Sequence, residues 1–356
     1  MPFNRRSVEN PKKRGRQLAV EMLEARQVLA VTFHGGVVLP KVEAQGVYYG
    51  SDWKTNAAAV TQKTAIDNYV KYIVNSPYMD MLHNAGYGVS RGTSDPGAVL
   101  NKTLDKTKFV TDLQIQHDLQ TMVTSGTLKT PDANRLYVVF VEPGVSIKDT
   151  SDGSTSINDF FGYHGAFAGK TKAGASIDFH YAVIAYPSGR NGSAAAQGYN
   201  SNRDYLTSVS SHEIAESVTD PNVGYSDIAW YDDANNGEIG DIVSGDVVLN
   251  GYCLQREANK SAKPMSPVGS KTYVSNFAVL AGTAATTPVA SSHAPVAASS
   301  MSSGTQRVDA FFAALDLTPA KLANAVEALF ASFATNRSEA ASGDLCSWLD
   351  AQFATL

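Results

Sequence analysis

The sequence predicts an α/β protein of the α+β kind, a mixed sheet flanked by helices, with a metal-face helix near residues 202–219 and a small C-terminal helical module. Three observations lead there. Two near-continuous apolar runs, "NRLYVVFVEPGV" and "SIDFHYAVIAYP", end at Pro143 and Pro187 and read as central strands. Other stretches carry apolar residues at helical spacing. The run from Ser201 to Asp220 is stopped by Pro221 and reads as one further helix.

In chain order, residues 1–30 come first. A basic stretch, "RRSVENPKKRGR", leads into "QLAVEMLEARQVLA", where Glu21, Glu24 and Arg26 interrupt the apolar centre that an ordinary export signal has. Residues 31–280 form the main domain. A strand is expected at 44–49, then a helix using Ala59, Ile66, Tyr69, Val70 and Ile73 that stops at Asn75 to Pro77. A second helix is expected over 108–123, with Val110, Leu113, Ile115 and Leu119 as its apolar members. Residues 281–305, rich in Ala, Ser, Thr and Pro, read as a linker. Residues 306–356 read as amphipathic helices, one starting at Thr318-Pro319, that form a small bundle or dock on a protein partner.

Composition narrows the function. The chain is 43% hydrophobic and 18% charged with a net charge of −5, which gives no footprint for a nucleic-acid partner. Cys253 and Cys346 lack CxxC spacing, so no sulfur-rich metal cluster is expected. No apolar run is long enough to be a transmembrane segment. Neither a nucleophile elbow nor a phosphate loop occurs, which removes serine-hydrolase and nucleotide readings.

The chemistry concentrates in "SVSSHEIAESVTDPNVGYSDIAWYDDANNGEIGDIV", residues 208–243. On a helix His212 and Glu216 lie about 40° apart, one turn above each other. In the H-E-x-x-H zinc motif two imidazoles hold the ion and the intervening glutamate is the general base. Here Glu216 replaces the second imidazole, which zinc accepts but which brings Mn²⁺ into competition. The expected roles are His212 and Glu216 as ligands and Glu213 as base, all facing one open quadrant while Ile214 and Val218 bury against the sheet. Two ligands are too few. Glu238 in "GEIGD" is the first choice for a third, with Asp220, Asp241 and His180 as alternatives and His164 in "GYHGAF" a further imidazole. The competing reading has a chance His-Glu pair on a solvated helix and an acidic loop that binds Ca²⁺ or merely orders itself.

Three stretches, "FHGGVVL", "YVVFVEPGV" with "FGYHGAF", and "SHEIAESVTDP…WYDD…GEIGD", together with "YVSNF", resemble in order the phosphate-induced, exordium-like protein family, in its bacterial type with an SHExAExxTDP block. The resemblance covers roughly residues 31–280. It implies an extracellular protein and, in members that keep the His-Glu pair, metallopeptidase-like chemistry of zincin-like character. Val243 stands where that pattern has a cysteine, so the disulfide it implies is not expected. "LAVEMLEARQVLA" also resembles the LE-x-R-x-LA segment that opens many exported bacterial surface proteins, with cleavage near Ala30 as the corollary. The expectation is an exported zinc-dependent hydrolase acting on a peptide or protein substrate. The alternative is a non-catalytic extracellular surface protein.

Overall fold

The structure is a computed structural model that describes residues 30–223 and 227–276. The N-terminal segment through residue 29, the linker and the C-terminal module lie outside the described residues. The principal elements are β1 (Glu43–Tyr49), α1 (Ala57–Ile73), α2 (Pro77–Asn84), β2 (Thr93–Leu100), α3 (Asp112–Ser125), β3 (Arg135–Val141), β4 (Gly162–Lys170), β5 (Ser176–Ile184), α4 (Asn202–Thr219), β6 (Asp246–Leu249) and β7 (Tyr252–Gln255).

Five of them form the expected mixed sheet, in the order β2-β1-β3-β5-β4. The first four strands run parallel, and β4 closes one edge antiparallel to β5. The sheet is covered on both faces, so its central strands are apolar on both sides. Along β3, Leu136, Val138 and Phe140 join the core under α1 and α4, while Tyr137, Val139 and Val141 join the core under α3. Arg135, buried at the start of β3, ties three strands together through Glu43 at 2.6 Å and Asp95 at 2.7 Å.

The first expected helix forms and ends at Ile73, just before Asn75. Asn56 caps α1 by accepting from the N–H groups of Ala58 and Ala59, and Ser76 with Pro77 starts α2. The 108–123 helix begins later, at Asp112, because Thr111 caps it in a reciprocal box with Gln114 and Phe109–Thr111 pairs as a short strand with Ser146–Lys148. Leu113, expected inside, is exposed at the first turn.

Candidate metal centre

Helix α4 carries the His-Glu motif, and its start is set by Ser201, whose hydroxyl accepts from the Asp204 N–H at 3.1 Å. The open quadrant expected for it is not there: every residue from Tyr205 to Thr219 is buried. The helix is covered by β4 and β5 on one side and by β7 on the other. Its small polar residues tolerate this because their hydroxyls turn back onto the helix. Ser211 donates to the Ser208 carbonyl at 2.7 Å, Ser217 to that of Glu213 at 2.6 Å and Thr219 to that of Ala215 at 2.9 Å.

On this buried helix His212 Nε2 lies 3.0 Å from Glu216 Oε2, as the one-turn spacing implies. The "GEIGD" segment closes over them. Ile239 is fully buried, and its carbonyl accepts from the Ala258 N–H at 2.7 Å, which anchors the loop. The Gly240 N–H donates to Glu216 Oε1 at 3.1 Å. A Cβ on Gly240 would come within 2.4 Å of His212 Nδ1, so only glycine allows this approach. The turn brings Asp241 Oδ1 to 3.7 Å from His212 Nε2. From the other side, His164 on β4 points its Nδ1 at Glu213 Oε2 (3.6 Å) and Glu216 Oε2 (3.7 Å). Its Nε2 lies 3.5 Å from Glu238 Oε1 and 3.1 Å from the Asp220 carbonyl.

The acids proposed from sequence thus separate by location. His212, Glu216 and Asp241 bring ligand atoms within 4.8 Å of one another, and so do His164, Glu216 and Glu238. Glu238 faces His164 and not His212. Asp220 ends the helix, with one carboxylate oxygen accepting the Ala229 N–H at 2.9 Å and the other accepting no hydrogen bond. His180 turns to Asn222 at 3.1 Å and joins neither group. Asp232 is taken up by its own loop, accepting from the N–H groups of Ala234 and Asn235. Two participants escape sequence reading. Gln255 bonds His212 Nδ1 at 2.8 Å, and Glu257, fully buried, accepts from the Tyr78 hydroxyl at 2.6 Å. A polar residue in a short strand of mixed pattern gives no signal that its side chain faces a histidine.

The electrostatics follow from the count. Glu213, Glu216, Glu238, Asp220 and Glu257 are buried and Asp241 is nearly so, yet their partners of opposite charge are the two imidazoles. Burying unpaired carboxylates is costly, so the cluster holds protons or a cation. Burial, reinforced by the charge of Glu216, pushes Asp241 up to about 6 and Glu238 well above the usual carboxylate range. Burial, partly offset by the Ala229 N–H and by His164 and reinforced by the Glu216 and Asp227 charges, pushes Asp220 up to about 6. Burial alone would lower the two histidines, but Glu238 beside His164 and Glu216 beside His212 carry both well above their ordinary value.

A divalent ion fits this donor set. Ion–ligand bonds of 2.0–2.2 Å put neighbouring ligands about 3.3 Å apart, and the observed separations of 3.0 to 3.7 Å bracket that value. One hydrogen bond must change. The Gln255 amide nitrogen donates to the Gly240 carbonyl at 2.8 Å and also reaches His212 Nδ1, which leaves the ring proton on Nε2, toward Glu216. Ligation through Nε2 needs the other tautomer, with the Gln255 amide turned.

Compared with models of known protein families, with curated proteins and with solved structures, the chain matches none of them.

Proposed function

We propose that this chain is a cation-dependent hydrolase of the zinc-metallopeptidase type, in which His212, Glu216 and Asp241 hold the ion and Glu213 is the general base. The observation that carries the proposal is the convergence of buried carboxylates on two imidazoles at the spacing of a ligand shell. When bound, the cation supplies Lewis acidity that polarises a carbonyl group and acidifies water. Glu213 stands next to this centre, with Oε1 4.0 Å from His212 Nε2 and Oε2 3.6 Å from His164 Nδ1. It takes the proton of the attacking water and returns it to the leaving amine. His164 keeps Glu213 turned inward, and Gly162 leaves room for it, since a Cβ there would come within 2.7 Å of Glu213 Oε1.

Zinc suits the imidazoles, Mn²⁺ competes because oxygen donors predominate, and Ca²⁺ is the poorest match to nitrogen. A peptide or protein substrate, export to the cell surface, zincin-like character and kinship with exordium-like proteins belong to the same proposal. They are supported by the SHExAExxTDP motif and its placement on a helix packed against a mixed sheet.

Two observations favour a second reading, a closed non-catalytic centre that stabilises an extracellular binding protein. The ligands are buried, and the Gln255 bond keeps His212 in the tautomer that donates to Glu216. Hydrolysis of a mixed peptide pool separates the two. Protein purified without chelator is expected to carry a transition metal and to hydrolyse the pool, and Glu213→Gln to keep the metal and lose at least a hundredfold in rate. Metal without hydrolysis in the wild type would establish the closed centre. Absence of metal, or an unchanged rate in the variant, would remove the enzyme.

A further inference from the structure

His164 is the key to a feature that a single ion leaves unexplained. Both of its ring nitrogens face acceptors: Nε2 looks at the Asp220 carbonyl (3.1 Å) and Glu238 Oε1 (3.5 Å), and Nδ1 at Glu213 Oε2 (3.6 Å) and Glu216 Oε2 (3.7 Å). Only the imidazolium can donate from both nitrogens; the neutral ring, the form that can ligate a cation, aims one lone pair at oxygen in either tautomer. With the proton on Nδ1, the Nε2 lone pair faces Glu238 Oε1 and the Asp220 carbonyl; with the proton on Nε2, the Nδ1 lone pair faces Glu213 and Glu216. The Nδ1 gaps are far longer than the 2.7–2.9 Å of a charge-assisted hydrogen bond. They are within about 0.4 Å of the edge of a ligand shell.

A second observation points the same way. Glu238 is only 5% exposed, and its Oε1, 3.5 Å from His164 Nε2, accepts no hydrogen bond. His164, Glu216 and Glu238 bring one ligand atom each within 4.8 Å of one another, independently of Asp241.

We propose that His164, Glu216 and Glu238 form a second cation subsite, and that Glu216, shared with the His212 and Asp241 group, bridges the two ions of a binuclear centre. This rests on the functional reading above, because the bridge requires the first ion. Two divalent charges also come closer than one to balancing the buried carboxylates. Each subsite offers one imidazole among carboxylates, a donor set for Mn²⁺, Zn²⁺ or Co²⁺.

Manganese is the probe, because two ions joined by one carboxylate give an exchange-coupled electron paramagnetic resonance spectrum. The full chain is loaded with Mn²⁺, freed of excess ion, and assayed for stoichiometry and spectrum. Two ions per chain and a coupled spectrum are expected. His164→Ala and, with its smaller change of shape, Glu238→Gln should each retain one ion and show the uncoupled six-line spectrum. Asp241→Asn should do the same from the other side. One ion in the wild type, unaffected by Glu238→Gln, overturns the second subsite and leaves the first standing. One ion lost in both His164→Ala and His212→Ala means a single ion between the imidazoles, and also overturns it. No ion in the wild type removes the functional reading itself.

Discussion

At the scale of single residues, the proposed centre sets protons and a cation in competition for the same lone pairs. Asp241 and Asp220 are pushed up to about 6, chiefly by burial. A carboxylate raised in the folded state binds more protons there than in the unfolded chain, so stability falls as pH rises from about 4 through that value. His164 and His212 are raised above their ordinary value, burial being outweighed by the carboxylates around them. Their contribution is complete below about 6.5 and is lost as pH climbs through the raised value. Both signs agree. In chelator, the melting temperature is expected to fall steadily between pH 5 and pH 8. With saturating zinc it should hold or rise over that window, because the ion displaces the protons. A melting temperature that rises from pH 5 to 8 in chelator would contradict the assignment. The one-turn partnership of His212 and Glu216 was legible from sequence, since helix geometry alone sets it. The choice among downstream acids was not, because it depends on where Ile239 buries and how closely Gly240 can approach.

At the scale of elements, the "GEIGD" turn is the part that makes a site out of a helix. Gly240→Ala places a methyl group within 2.4 Å of the His212 ring. The loop must retreat, at a cost of about 1–3 kcal/mol, and Asp241 retreats with it. Calorimetric melting should show the loss, and zinc affinity should drop at least tenfold. Asn56→Ala provides the contrast. It removes the cap of α1, about 1 kcal/mol, at a place that touches no ligand, so the melting temperature should fall with zinc affinity unchanged. The central strands β3 and β5 and helices α1 and α4 were readable from apolar runs and stop signals. The edges were not. β2 contains Ser94, Asp95, Pro96 and Gly97, which argue locally against a strand, and only an edge position with a bulge against β1 accommodates them. β4 contains three glycines in "GYHGAFAGK", and pairing with β5 over its whole length overrides that poor propensity. The burial of α4 all round was hidden because serine and threonine read as solvent-facing, while here their hydroxyls bond the preceding turn.

At the scale of the whole molecule, the sheet is sandwiched between two apolar cores, one shared with α1 and α4 and the other with α3. The acidic cluster lies within the first, so its charge state bears directly on the stability of that layer. Six carboxylic residues in such a place, Glu213, Glu216, Asp220, Glu238, Asp241 and Glu257, weaken the fold unless something positive joins them. On the proposed reading, ion binding and folding are therefore coupled. At a zinc concentration one hundred times the Kd, the chain should gain about 2.7 kcal/mol, seen as a rise in melting temperature that depends on zinc concentration. The groove of about 720 Å³ lined by Pro77, Met81, Met265 and Val268 contains none of these carboxylic residues.

Calorimetric titration of zinc into chelator-stripped protein at pH 7, repeated in buffers of different ionisation enthalpy, tests the claim that a cation takes the place of protons in this core. Saturable binding is expected, with a heat that varies linearly with buffer enthalpy and a slope reporting at least one proton released per ion. Binding without proton release, or no saturable binding at millimolar zinc, would show that the buried acids are held by protons alone.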